Sequence, residues 1–168
     1  MAGAAAALAS MGLAACGASH TSQPLASTTI PQSSTSTTVS IAAAGAAYLA
    51  AVAPANAAIS AFSAAAGRWT SSTTNAQAEA DAQPAISALQ ALGTTLTNDQ
   101  WPASATNDVH TLVGDDAAVV GDLQGLASVN LLDTSSFIAT LKRDLSSTAS
   151  AVALVRHDLD LPAAVPAG

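Results

Sequence analysis

Apolar residues recur along this chain at steps of three and four from about Ile41 onward. Over residues 42–69 the stripe runs Tyr48, Val52, Ala55, Ile59, Phe62, Ala66 and Trp69, which sets all of them on one helical face. Pro54 lies inside the run and removes the amide that would bond the carbonyl of Ala50, so a kink or break is expected near Val52 to Ala53. Arg68 falls in the expected last turn, where a cation suits the helix dipole. A second helix is expected from about Thr74 to Leu96, with Ala82, Ile86, Leu89 and Leu96 inward and Glu79 and Asp81 in its first turns. Pro84 either kinks it or opens a shorter helix. Residues 98–102 read as a turn, with Pro102 suited to the first position of a third helix that extends to about Ser128. That helix buries Val109, Leu112, Val119, Leu123 and Leu126. A loop over 129–133 leads to Asp133 as an N-cap, and a fourth helix buries Phe137, Leu141, Leu145, Val152, Val155 and Leu159 before Pro162 stops it.

Four helices of similar length joined by short turns predict an all-α fold, an antiparallel up-down four-helix bundle over residues 41–162. Composition sharpens this: half of the chain is hydrophobic but only 3% is aromatic, and most of the apolar fraction is alanine. Such a core forms only where helices approach closely, and alanine is the strongest helix former. Trp69 and Trp101 are expected at opposite ends, Trp69 beside Phe137 and Trp101 beside Tyr48 and Leu161. Folding the third helix back on the fourth brings Asp122 toward Lys142 and Arg143, and Asp108 toward Arg156, as surface salt bridges. Folding the first on the second sets Pro54 opposite residue 88 and Pro84 opposite residue 58. Bends there either leave an apolar gap between the two helices or are filled by close alanine packing.

Ahead of the bundle, residues 18–40 are Ser, Thr, Gln and Pro with scattered apolar residues and no period, which predicts a disordered tether containing a solvated His20. The tail 163–168 is expected to fray. Residues 1–15 are almost entirely Ala, Gly, Leu and Met, and they end in Leu13-Ala14-Ala15-Cys16 followed by Gly17. This resembles the lipobox of a bacterial lipoprotein signal. The resemblance implies that residues 1–15 are a signal peptide, that Cys16 becomes the lipidated N-terminus, and that a tether over 16–40 holds the domain outside the cell membrane. No Lys or Arg precedes the apolar segment, a departure from the usual basic start. At fifteen residues the segment is shorter than the ~20 that a spanning helix needs. Together with Trp101-Pro102 and the ending Val155-Arg156-His157-Asp158-Leu159-Asp160-Leu161-Pro162, the chain resembles alanine-rich envelope lipoproteins of high-GC actinobacteria. That likeness implies a location and a fold, and it brings no activity with it.

A net charge of -7 with four basic residues excludes a basic nucleic-acid footprint and a polybasic membrane patch. Cys16 is the one cysteine, so no intramolecular disulfide forms. Glu79 is the one glutamate, which rules out the carboxylate set of a di-iron bundle. Zinc-type spacing, a phosphate-cradling glycine loop and a Gly-x-Ser-x-Gly elbow are all absent from the sequence. The polar candidates are Asp116, His110 and His157. Asp116 falls on the seam between Leu112 and Val119, where a carboxyl is drawn inward, either as a site with a raised pKa or a cation ligand, or as a hydrogen-bonded core residue. His110 and His157 sit beside Val109 and Val155, at flanking positions. The expected function is a lipid-anchored, non-enzymatic structural or interaction domain with no cofactor and no bound metal, whose partners are the membrane through Cys16 and an envelope protein or apolar ligand. The alternative is a small apolar or metal ligand held in the bundle interior, with Asp116 joined by His110 or His157.

Overall fold

A computed structural model describes residues 39–129 and 135–164 of the 168. The expected signal peptide 1–15, Cys16, nearly all of the tether, the cap Asp133 and the last four residues lie outside the described part. Within it the chain is all-α, with helices α1 (Ile41–Ala66), α2 (Asn75–Asn98), α3 (Thr106–Gln124) and α4 (Ser135–Asp158), and a 3-10 turn Gly125–Ser128 that extends α3. Among the described residues there is no strand.

Local chemistry sets the helix ends. The Ser40 hydroxyl accepts from the Ala43 amide at 3.2 Å at the start of α1. Thr74 caps α2 reciprocally: its Oγ1 accepts from the Gln77 amide at 3.2 Å, and its own amide donates to Gln77 Oε1 at 2.9 Å. α1 stops at Ala66, earlier than its apolar period suggests, so Arg68 and Trp69 lie beyond it. α3 begins at Thr106 and not at Pro102, because the Pro102 carbonyl accepts from Ala105 and Thr106 and closes a turn of its own first. At the end of α4 the Leu161 amide bonds the Arg156 carbonyl at 2.8 Å and the Asp160 amide bonds the His157 carbonyl at 3.1 Å. Asp160 takes a left-handed φ of 52° to make this Schellman closure, a position where glycine is usual.

Both α1 and α2 run through their prolines without a break. Pro54, Pro84, Ala50 and Ala80 are all exposed, so each ring clears the core and each freed carbonyl faces water. Of the two alternatives for these helices the structure shows close alanine packing: Ala55 on α1 and Ala78, Ala82 and Ala85 on α2 are buried, and the two helices pack together. α1 is long and apolar enough to cross a bilayer by composition, yet in this fold its inner face, including Tyr48, Val52 and Phe62, is buried in the bundle.

Close packing joins α1 to α2, α2 to α3 and α3 to α4, whereas α1 and α4 stay apart along most of their lengths. The consequence falls on α4. Phe137, Leu141, Leu145 and Val152, expected in the core, are only half-buried, and Ala151 and Val155 are its buried residues, with Leu159 buried just beyond its end. The two helices meet at one end, where the turn after α4 lies over Gly45. A Cβ at Gly45 would stand 3.2 Å from Leu161 Cδ2 and 3.4 Å from the Leu159 carbonyl oxygen, so the approach depends on its absence.

The α3–α4 register is the expected one but the pairing is different. Asp122 lies close to Asp144 and also in the field of the expected Arg143, while Asp108 lies close to Asp158 in place of Arg156. Arg143 Nε bonds the adjacent Asp144 at 2.7 Å, and Arg156 Nε donates to the Pro162 carbonyl at 2.7 Å. The two indoles sit in connections at opposite ends of α2. Trp69 packs edge-on against Phe62, 5.8 Å between ring centres, and donates to Asp81 at 2.9 Å; Trp101 donates to the Leu96 carbonyl at 2.7 Å.

Candidate functional site

The unclosed α1–α4 seam leaves a cavity of about 390 Å³ into which all four helices contribute. Its walls follow helical steps of three and four: Tyr48, Val52, Asn56 and Ile59 along α1, and Leu145, Thr148, Val152 and Arg156 along α4. The helices run antiparallel, so Tyr48 and Arg156 stand toward one end of the cavity and Ile59 and Leu145 toward the other, with Val52, Asn56, Thr148 and Val152 between them. Leu89 and Leu92 of α2 and Leu112, Asp116 and Val119 of α3 form the floor. Ala164, in the tail expected to fray, also lines the space. The volume lies in the range of small-molecule sites, about 300–1,000 Å³, and the lining is mainly apolar.

Three buried polar atoms of this lining, Tyr48 Oη, Asp116 Oδ2 and Thr148 Oγ1, have no hydrogen-bond partner among the described residues. Buried polar groups are rarely left so, since each costs about 1–3 kcal/mol unpaired. Asp116 is 3% exposed. Loss of hydration pushes its pKa up to about 7, with the neighbouring Asp115 charge adding to the rise. Burial likewise pushes the Tyr48 hydroxyl up to about 12; Arg156 opposes that rise and Asp116 adds to it, so the phenol stands within the field of both. On its other side Asp116 borders an open groove between α2 and α3, edged by Gln90, Gly93, Thr94 and Val113.

The structure separates the three residues picked from the sequence. Asp116 is on the cavity floor as its seam position implies. His110 is exposed, on the rim of a shallow pocket beside Trp101, Pro102 and Asp99. It precedes Asp116 by six residues, about 9 Å along α3 and on another face. His157 is exposed as well, with Nδ1 3.2 Å from Asp158 Oδ1. Neither imidazole lines the cavity with Asp116, so the pairing of that carboxyl with a histidine as a ligand set is not formed. Among the described residues no three His, Cys, Asp or Glu side chains come together as a metal site.

Sequence reasoning missed Tyr48, Thr148 and Arg156 as site residues. The signal was present for two of them: Tyr48 is a phenol in a stripe otherwise apolar, and Thr148 stands between Leu145 and Val152 at inward spacing, as Asp116 does between Leu112 and Val119. Comparison with protein-family models, with curated proteins and with solved structures gives no match. The chemistry available is therefore that of the cavity itself: an elongated apolar space with a few fixed donors and acceptors, suited to holding a molecule.

Proposed function

We propose that this protein is a non-enzymatic binding protein of the cell envelope, anchored to the outer face of the membrane by lipid on Cys16, that takes a small amphipathic molecule into the cleft between α1 and α4. The observation that carries the reading is the set of three unpartnered polar atoms, Tyr48 Oη, Asp116 Oδ2 and Thr148 Oγ1, inside one mainly apolar cavity. A ligand with a polar group and an apolar body would satisfy them and cover the half-buried face of α4. A purely structural spacer gains nothing from leaving that seam open.

Titration with a fluorescent fatty-acid probe tests the binding. Saturable binding that is abolished by Val152→Trp, which fills the cleft from its rim, is expected; absence of saturable binding by the wild-type domain refutes the reading. The anchor is tested separately. Cys16→Ala or globomycin treatment should leave an uncleaved or released form, and unchanged membrane association and mobility would remove the lipid from the proposal.

A further inference from the structure

Resting on the ligand-binding reading above, we infer that the cleft selects a carboxylate amphiphile, with its head at the Arg156 and Tyr48 end and its chain running toward Ile59 and Leu145. Arg156 is the one cation among the residues that line the cavity. Its Nε is held by the Pro162 carbonyl at 2.7 Å, which fixes the base of a planar group whose geometry matches a carboxylate. Tyr48, fully buried and without a partner among the described residues, places a second donor at the same end of the cavity. Of the charged groups that act on the phenol, Arg156 is the stronger, and its sign suits an anion. The end is also closed, since the Leu159–Leu161 turn lies against Gly45 a short way beyond it. Away from the head, Val52, Val152, Ile59 and Leu145 give mainly apolar walls that Asn56 and Thr148 interrupt, and α4 from Arg156 to Leu145 spans about 16 Å.

Asp116 is the element that decides between charges along this path. Asp115 on its own helix is the charge that acts on it, Tyr48 of α1 and Arg156 of α4 line the same cavity, and α2 contributes the uncharged Leu89, Leu92 and Gln90. While Asp116 holds its proton the cavity carries the charge of Arg156 alone and accepts an anion. Once it ionises, near pH 7, a carboxylate ligand is opposed by a second negative charge. Binding of the anion therefore weakens as pH rises through about 7, a range in which the ligand's own carboxyl stays ionised.

The test compares dodecanoate, dodecan-1-ol and dodecylammonium on the domain by isothermal titration calorimetry, all at concentrations below micelle formation. Dodecanoate should bind at least about tenfold more tightly than the alcohol, the size of one charge-assisted hydrogen bond. Arg156→Gln and Tyr48→Phe should each lower the affinity for dodecanoate by more than that for the alcohol and so reduce the preference, and Arg156→Lys should restore part of it. Asp116→Asn should remove the decline of dodecanoate affinity between about pH 6 and about pH 8. Equal binding of acid and alcohol, a preference for the ammonium, or a preference untouched in Arg156→Gln and Tyr48→Phe overturns the head-group assignment and leaves the binding function standing. Failure of all three amphiphiles to bind takes down both.

Discussion

Asp116→Asn should stabilise the folded domain at high pH and leave it nearly unchanged at low pH. The carboxyl has an ordinary value of 3.8 and is raised by burial to about 7 in the fold. Below both values it is protonated whether the chain is folded or not, and it contributes no pH dependence. Between them the unfolded chain gives up the proton while the folded chain keeps it, so stability falls as pH rises; above about 7 both states are ionised and the loss is complete. At about 1.4 kcal/mol for each pH unit, the interval corresponds to about 4 kcal/mol of destabilisation. This is a large share of the roughly 5–15 kcal/mol that holds a domain of this kind together. The asparagine amide is nearly isosteric and cannot ionise, so the variant escapes that loss. Urea denaturation followed by far-ultraviolet circular dichroism, at intervals from about pH 4 to about pH 8, gives the stability of both proteins. Taking the difference at each pH cancels carboxyls that are far from the substitution. The difference should grow by a few kcal/mol in favour of Asp116→Asn across the range. A difference that does not change with pH, or a variant less stable than the wild type at about pH 8, would show that the carboxyl reaches water and that the cavity floor is not as dry as its burial implies.

Other substitutions probe the closed end of the cleft and the α3–α4 interface. Gly45→Leu, which drives a side chain into Leu161 and the Leu159 carbonyl, should destabilise the domain by about 1–3 kcal/mol and lower its melting temperature. Asp160→Gly relieves the left-handed strain at φ 52° and should raise stability by up to about 1 kcal/mol in the same assay. Asp158→Asn removes the charge and hydrogen-bond partner that, after burial, hold the Asp108 carboxyl above its ordinary range, so carboxyl carbon NMR should show Asp108 titrating at lower pH. An unmoved Asp108 titration would place the two side chains out of reach of each other.

The elements and most of the core were legible in the sequence because helical periodicity is a local property. Leu112, Val119, Leu123, Val155 and Leu159 are buried where their spacing put them, and Asp116 went inward because a residue between Leu112 and Val119 on that face has no other direction. The α3–α4 register was legible too, since a short connection leaves antiparallel neighbours little freedom to slide. The partners within it were not. One residue along a helix turns a side chain through about 100°, which was enough to bring Asp108 to Asp158 in place of the expected Arg156, and Asp122 to Asp144 as well as into the field of Arg143. Boundaries also moved where a local bond competed with the period, as the Pro102 carbonyl did by closing a turn ahead of α3.

By itself, then, the sequence determined four amphipathic helices, their order, their inward faces and one buried acid, all of which follow from residues a few positions apart. Only the tertiary structure decided whether the ring of helices closes. α1 and α4 are the first and last helices of the chain, so their separation depends on summed side-chain volumes across three other interfaces and on contacts such as Gly45 with the Leu159–Leu161 turn. Alanine packing drew α1 onto α2, α4 followed α3, and the space left between them brought together Tyr48, Asp116, Thr148 and Arg156, residues from three helices whose spacing in the sequence carries no sign that they meet.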